Sequence, residues 1–421
     1  MNRQKSFFIF NRQELDTIKV KVLLYIAKSD TFTFLDNNRY AIAPNRYELL
    51  AGTGCLAGHA YQDLNLAGDW IFGNLQFEFD PKVRDKEVPA HQAGYFYTPD
   101  IVIYIPAGQD SLVVEAYSDP DSIIQDIIAI PDKETDLEYI MPRNAHILSP
   151  IDRETYIARI EQIREDIFRG KYYELNYCIP FHVRDITIDP VVLFYQQNRL
   201  NPAPMAALYK RDNEYLVCTS PERFIYKNKQ LILSQPIKGT APRGNTLQEQ
   251  AENKAALSQS EKDKSENVMI VDLTRNDLAR CCETGSVTVP ELFGIYEFPF
   301  VYQMISTIRG TLKEGMHFQD VLQCTFPMGS MTGAPKATVI DHIQKYEPEA
   351  RGLYSGTVFY INPDGDYDSN VVIRSIVYRP LEKSLSFKVG GAITYDSTAL
   401  QEWEEIQWKA ASMKRAILPR S

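Results

Sequence analysis

No apolar run in this chain is longer than a β-strand. The longest, such as 22–27 and 101–105, fall far short of the roughly 20 residues a membrane helix needs. A chain of 421 residues that carries its hydrophobicity in such short pieces has to pack many strands together and lay its helices against them. Its 44% hydrophobic and 24% charged residues are ordinary for a globular protein, with no Pro/Gly excess to argue for disorder. The balance of 45 Lys+Arg against 55 Asp+Glu, a net charge of -10, has the wrong sign for a general nucleic-acid or anionic-membrane binder. At first sight it also weighs against an anionic ligand. The N-terminal apolar run 7–10 is shorter than a signal-peptide core, and six cysteines without a CxxC pair suit reduced thiols. A cytoplasmic protein is the expectation.

Two regions differ in character. Residues 1–148 read as short strands at 20–27, 31–35, 69–79 and 95–105, with no catalytic pattern; they are expected to supply sheet and packing surface. In 149–421 a helix is predicted where Tyr156, Ile157, Ile160, Ile163 and Ile167 recur at helical spacing and Gly170 follows as a stop. Strands are predicted at 215–219, 230–233, 353–360, 370–378 and 385–389, and long helices at 247–280 and 398–418. Strands arriving in consecutive groups favour an antiparallel α+β arrangement over βαβ alternation.

Two carboxylate groups stand out by position. On the predicted C-terminal helix, Glu402, Glu405 and Lys409 share a face beside the apolar stripe Ile406, Ala410, Met413 and Ile417. Spacing alone fits a surface Glu–Lys pair as well as a face turned into a site. Glu266 lies where a polar stretch gives way to the apolar run 268–271. Two hard carboxylates from separate elements, completed by water and a substrate oxygen, are what Mg²⁺ prefers. The glycine-bearing turns 234–244 and 327–336 match no phosphate-binding fingerprint, yet offer backbone N–H groups, hydroxyls and a lysine suited to carboxylates. Gly390 and Gly391 after a strand allow the same close backbone approach. No histidine lies between His182 and His317, so acid–base and nucleophilic work falls to Glu and Lys, with Glu222 and Lys238 as candidates. A lysine attacks only when neutral, which asks for burial or a nearby cation.

In order along the chain stand SPERF (220–224), PIKGTAPRG (236–244), SENVMIVDLTRNDLAR (265–280), PMGSMTGAPK (327–336), GLYSGTVFY (352–360), VVIRS (371–375), GGAITYDS (390–397) and EWEEIQWKA (402–410). In this series the chain resembles the chorismate-utilising enzymes over about residues 153–410. The resemblance implies an α+β fold like that of anthranilate synthase component I, in which two antiparallel β-sheets form a sandwich with helices on the outside. It implies Mg²⁺ held by Glu266 and Glu405, with Glu402 close by, on the ring carboxylate of chorismate. It places Gly239, Thr240, Tyr354, Arg374, Gly390, Gly391, Ala392 and Lys409 around the substrate, with Arg374 on the enolpyruvyl carboxylate. Glu222 would be the acid that protonates the departing 4-hydroxyl.

The residue after Pro236-Ile237 separates members of the family: anthranilate synthases generally carry Ala and aminodeoxychorismate synthases Lys. Here it is Lys238. The resemblance thus implies aminodeoxychorismate synthase component I chemistry: Lys238 adds to C2 as the 4-hydroxyl leaves, ammonia adds at C4, and Lys238 is expelled. The product, 4-amino-4-deoxychorismate, is a precursor of p-aminobenzoate and folate. The alternatives are anthranilate synthase component I, then isochorismate or salicylate synthase, and an inactive chorismate-binding subunit. Glu174 stands where isochorismate synthases carry a water-activating lysine, which counts against water as nucleophile, and Gln303 stands where relatives often carry histidine. No counterpart of the tryptophan-binding segment of anthranilate synthases stands out. Ammonia drawn from glutamine would need a separate glutamine amidotransferase subunit.

Overall fold

Two antiparallel sheets lie face to face in the computed structural model, which describes residues 3–42, 44–66, 68–79, 93–132, 137 and 145–418. The larger has eleven strands. Its order runs from the edge strand Gln4–Ile9 through Ser111–Ala116, Ile101–Pro106, Tyr47–Thr53 and Thr31–Asp36 to Met205–Arg211 and Glu214–Ser220. It continues through Ser375–Arg379, Ser384–Ile393 and Glu174–Val183 to the short strand Gly333–Ala334. The ten-stranded sheet begins at Ile237–Pro242, pairs next with Val301–Thr311, and runs by way of Arg223–Asn228 and Tyr367–Asn370 to Ile71–Leu75 and Gly94–Thr98. Strands from 1–148 therefore sit beside later strands in both sheets.

Burial on both faces explains why these strands read as unbroken apolar runs. In Tyr47–Thr53, Leu49 and Ala51 join the helix-covered side with Ile18, Val22, Tyr156, Ile160 and Ile406. Leu50 points the other way, into the layer between the sheets with Phe72, Tyr97, Val358 and Tyr360. The outer face of the second sheet is closed by Val271 and Leu278 of the helix Glu261–Cys281 and by Val321 and Leu322 of Phe318–Thr325.

Several expected elements are corrected. The stretch predicted as a strand at 20–27 belongs to the helix Leu15–Ile26, whose buried Leu15, Ile18, Val22, Leu23 and Ile26 follow helical spacing. The window 69–79 holds only the strand Ile71–Leu75 before a short turn of helix at Phe77–Phe79. The run 95–105 breaks at Pro99-Asp100 into Gly94–Thr98 and Ile101–Pro106, which lie in different sheets. The run 370–378 divides the same way: Tyr367–Asn370 and Ser375–Arg379 belong to opposite sheets, and Arg374, with φ +50°, lies in the link. The stretch 353–360 becomes strand only from Thr357, after a turn with Ser355 at φ +63°. The predicted helix 247–280 is two helices, Leu247–Gln259 and Glu261–Cys281. Ser260 stops the first and caps the second, its hydroxyl accepting from the N–H of Asp263. The helices Arg153–Phe168 and Ala399–Ile417 form where predicted.

Candidate active site

Lys238 and Glu174 tie the two sheets together. Lys238 lies on the edge strand Ile237–Pro242 of one sheet, Glu174 opens Glu174–Val183 in the other, and Nζ stands 2.8 Å from Oε1. Glu174 is 0% exposed and Lys238 9%. The lysine's backbone is fixed as well: Asn267 Nδ2 reaches its carbonyl at 3.5 Å, and the Ser306 hydroxyl donates to Asn267 Oδ1 at 2.6 Å. Burial opposes charge on the Lys238 amine, but Glu174, Glu266 and Glu222 outweigh it and hold its pKa above the ordinary lysine value. Burial alone therefore does not make this lysine neutral. Next along the strand, Gly239 has φ +93°, and a Cβ there would come within 3.0 Å of Asp263, so only glycine lets the strand approach the helix Glu261–Cys281. Thr240 follows, exposed and opposite Gln303, whose buried Oε1 has no hydrogen-bond partner among the described residues.

Glu222 and Arg374 occupy two links between the sheets. Glu222 sits between Glu214–Ser220 and Arg223–Asn228, and its carbonyl accepts from the N–H of Val371 at 3.0 Å. Burial pushes the Glu222 carboxyl up to about 7, against a Ser330 hydrogen bond and the charge of Lys238. That is the range for an acid working near neutrality. Arg374, partly buried, is lowered to about 10 by burial, with Tyr40 and Glu222 acting the other way. Among the described residues its guanidinium forms no ion pair. It is a fork without a carboxylate.

The turn 327–336 packs under this group. Gly333, at φ +134°, puts its Cα so close to the Glu174 carbonyl that a Cβ would lie 2.1 Å from that oxygen. Ser330 hydrogen-bonds Glu222 through its side chain, and its carbonyl accepts from Asn176 Nδ2 at 3.1 Å. Asn176 pairs with Ala392 on the neighbouring strand, and its Oδ1 has no hydrogen-bond partner among the described residues. Beneath the turn, the buried Arg351 donates to Met331 O, to Asn176 O and in a fork to Glu347. Sequence reasoning passed over Asn176 and Arg351; the single hint was that Arg351 directly precedes the 352–360 motif.

The helix Ala399–Ile417 supplies the remaining carboxylates. Glu402 is buried, accepts from the Ser397 hydroxyl at 2.8 Å, and is raised by burial and by neighbouring Glu405. Glu405 is lowered by Lys409, whose Nζ lies 2.6 Å from it and also donates to Gly390 O at 3.0 Å. The surface-type pair read from the spacing is therefore formed, at the border of the site. A Cβ on Gly391 would come 3.2 Å from Glu402 and 3.9 Å from Glu405, so the glycine backbone faces both carboxylates. Tyr354 is buried, and its phenol oxygen takes the Gly390 N–H, while burial raises its pKa.

Glu266 is mostly buried, its nearest cation is Lys262 at 3.9 Å, and burial pushes it up to about 7 against Lys238 and Lys262. Glu405 feels the same two lysines. The under-compensated Glu266 carboxyl fits a hard divalent cation, with Glu405 as second donor and Glu402 behind. Among the described residues no group of three or more His, Cys, Asp or Glu side chains could hold a metal alone. The donor set is thus a partial one that water and substrate oxygens would complete.

A family model described as chorismate binding enzyme matches residues 6–415. The chain belongs to the chorismate-binding enzyme family. It is 37% identical over 257 residues to aminodeoxychorismate synthase component 1 of Escherichia coli, a match covering 61% of this chain and 56% of that one. The chain thus spans little more than half the length of that relative. Anthranilate synthase component 1 of Saccharolobus solfataricus is 31% identical over 341 residues, covering 80% and 77%. Two solved chorismate-family structures share the fold. Anthranilate synthase component I of Streptococcus pneumoniae superposes with a TM-score of 0.73 at 20% identity, covering 98% and 92% of the chains. The menaquinone-specific isochorismate synthase of E. coli gives 0.75 at 16%, covering 99% and 95%. The expected α+β sandwich of the family is the fold observed.

Proposed function

We propose that this chain aminates chorismate at C4, converting chorismate and ammonia to 4-amino-4-deoxychorismate and water on the way to p-aminobenzoate and folate. The observation that carries the reading is Lys238. Its amine is buried between the sheets within electrostatic reach of Glu222, where a member of the family that uses an external nucleophile at C2 needs no lysine. Lys238 adds to C2 while Glu222 protonates the departing 4-hydroxyl; ammonia then adds at C4 and Lys238 leaves. Arg374 binds the enolpyruvyl carboxylate through its unpaired fork. Gly239, Thr240, Tyr354, Gly390, Gly391, Ala392 and Lys409 wall the substrate. Mg²⁺ held by Glu266 and Glu405, with Glu402 adjacent, would neutralise the ring carboxylate. A glutamine-hydrolysing partner subunit supplies the ammonia, and the reaction is cytoplasmic. The strands of 1–148 serve as scaffold for a catalytic region at 149–421.

A second reading, anthranilate synthase component I, draws on the long match to the Saccharolobus relative. Purified protein given chorismate, Mg²⁺ and ammonium separates the two. The expected product is 4-amino-4-deoxychorismate, converted to p-aminobenzoate when a lyase is added. Fluorescent anthranilate appearing without a lyase would transfer the assignment to the second reading.

A further inference from the structure

We propose that Glu174 is the base that makes Lys238 a nucleophile, taking a proton from its Nζ as the bond to C2 forms and returning it when Lys238 departs. The inference rests on the amination proposed above. Its basis is geometric. Glu174 Oε1 lies 2.8 Å from Nζ, the carboxylate is fully buried, and its other oxygen, Oε2, has no hydrogen-bond partner among the described residues. An oxygen without a partner is an open acceptor beside the reacting amine. The pair is also held rigidly. Gly333 presses on the Glu174 backbone from one side, while Asn267 and Ser306 fix the backbone of Lys238 from the other.

The proton count closes. Lys238 enters as ammonium and gives one proton to Glu174; the freed electron pair forms the Nζ–C2 bond, the ring double bonds shift, and the 4-hydroxyl leaves as water with a proton from Glu222. Ammonia's electron pair then bonds C4, the double bonds shift back, and the C2–Nζ bond breaks with its electrons returning to nitrogen. Nζ recovers its proton from Glu174, and the new amine at C4 gives its extra proton to Glu222. Both carboxyls end as they began, and no outside base is consumed.

Three other carboxylates face Lys238 from separate elements: Glu222 in the inter-sheet link, Glu266 on Glu261–Cys281 and Glu405 on Ala399–Ile417. Each remains in Glu174→Gln, so a wild-type to variant ratio isolates Glu174. The test follows the Lys238 adduct by mass in rapidly quenched mixtures of the full chain with chorismate and Mg²⁺, from pH 6 to 9, with melting curves as a fold control. In E174Q the adduct should form about 100-fold more slowly at pH 7, and the deficit should shrink about tenfold per pH unit as solvent takes over deprotonation. Chorismate KM should move less than about threefold. In Glu174→Asp, which keeps the charge but withdraws the carboxylate by a methylene, formation should slow about tenfold with the wild-type pH dependence. A wild-type to E174Q ratio near one, or constant across pH, overturns the role of Glu174. If E174Q does not fold, a wild-type adduct rate in E174D overturns it instead. No adduct in the wild type overturns the amination reading together with this one.

Discussion

In the proposed amination Lys238 and Glu222 divide the chemistry between a buried amine and a buried acid, and both can be removed singly. Lys238→Ala should abolish the adduct and lower kcat on the order of 10³-fold or more, because no neighbouring group replaces a nucleophile. A product assay with purified variant checks this. Glu222 must be protonated to act, and burial raises it to about 7 from the ordinary carboxyl range near 4.5. The raised value keeps the acid form well above the ordinary carboxyl range, and activity should decline as pH climbs past about 7. Glu222→Gln should remove that alkaline limb and cost 10²–10⁴-fold, read from kcat/KM against pH. Residue identity is the part of the candidate site most legible in the sequence, since Glu222, Lys238, Glu266 and Glu405 each stand in a motif. The pairing of Glu174 with Lys238 was not, because it joins positions 64 residues apart across two sheets.

At the scale of elements, two of the stretches that misled strand prediction, 353–360 and 370–378, carry the candidate site residues Tyr354 and Arg374. The run 370–378 reads as one strand, yet the chain changes sheets inside it, and Arg374 adopts φ +50° there. No local pattern reveals that a strand-like run ends in one sheet and restarts in another. The helix at 15–26 was misread because its Ile and Val residues favour strands, whereas long periodic segments such as Ala399–Ile417 were plain. Two substitutions test the local devices. Gly333→Ala places a Cβ into the Glu174 carbonyl; it should lower Tm and cut activity more than tenfold, by displacing the turn that carries Ser330. Ser260→Ala removes the cap between two helices and should cost about 1 kcal/mol in denaturant unfolding. A Gly333→Ala protein with wild-type activity would refute the positioning role of that turn.

For the whole molecule, the net charge of -10 constrains nonspecific partners, not this site. Part of the excess, Glu266, Glu402 and Glu405, lies where the proposed Mg²⁺ would be recruited, near Lys238, Lys262 and Lys409. Glu222 and Glu266 each have a folded pKa near 7 against an ordinary value near 4.5. The folded state therefore favours their protonated forms, and metal-free protein should lose stability as pH rises between those values. The cost is complete above pH 7, at on the order of 3 kcal/mol for each buried group. Mg²⁺ bound as proposed would relieve the share due to Glu266, so it should raise Tm more at pH 8 than at pH 6, and chelation should reverse the gain. An equal Mg²⁺ effect at both pH values would argue against Glu266 as a ligand. Amination through a lysine adduct is checked by peptide mass mapping of protein quenched after mixing with chorismate and Mg²⁺ in the absence of ammonia. The expected result is a peptide containing Lys238 heavier by chorismate less one water, a mass that disappears when ammonium is added or when Lys238 is replaced by Ala. An unmodified Lys238, with amination undiminished in Lys238→Ala, would contradict it.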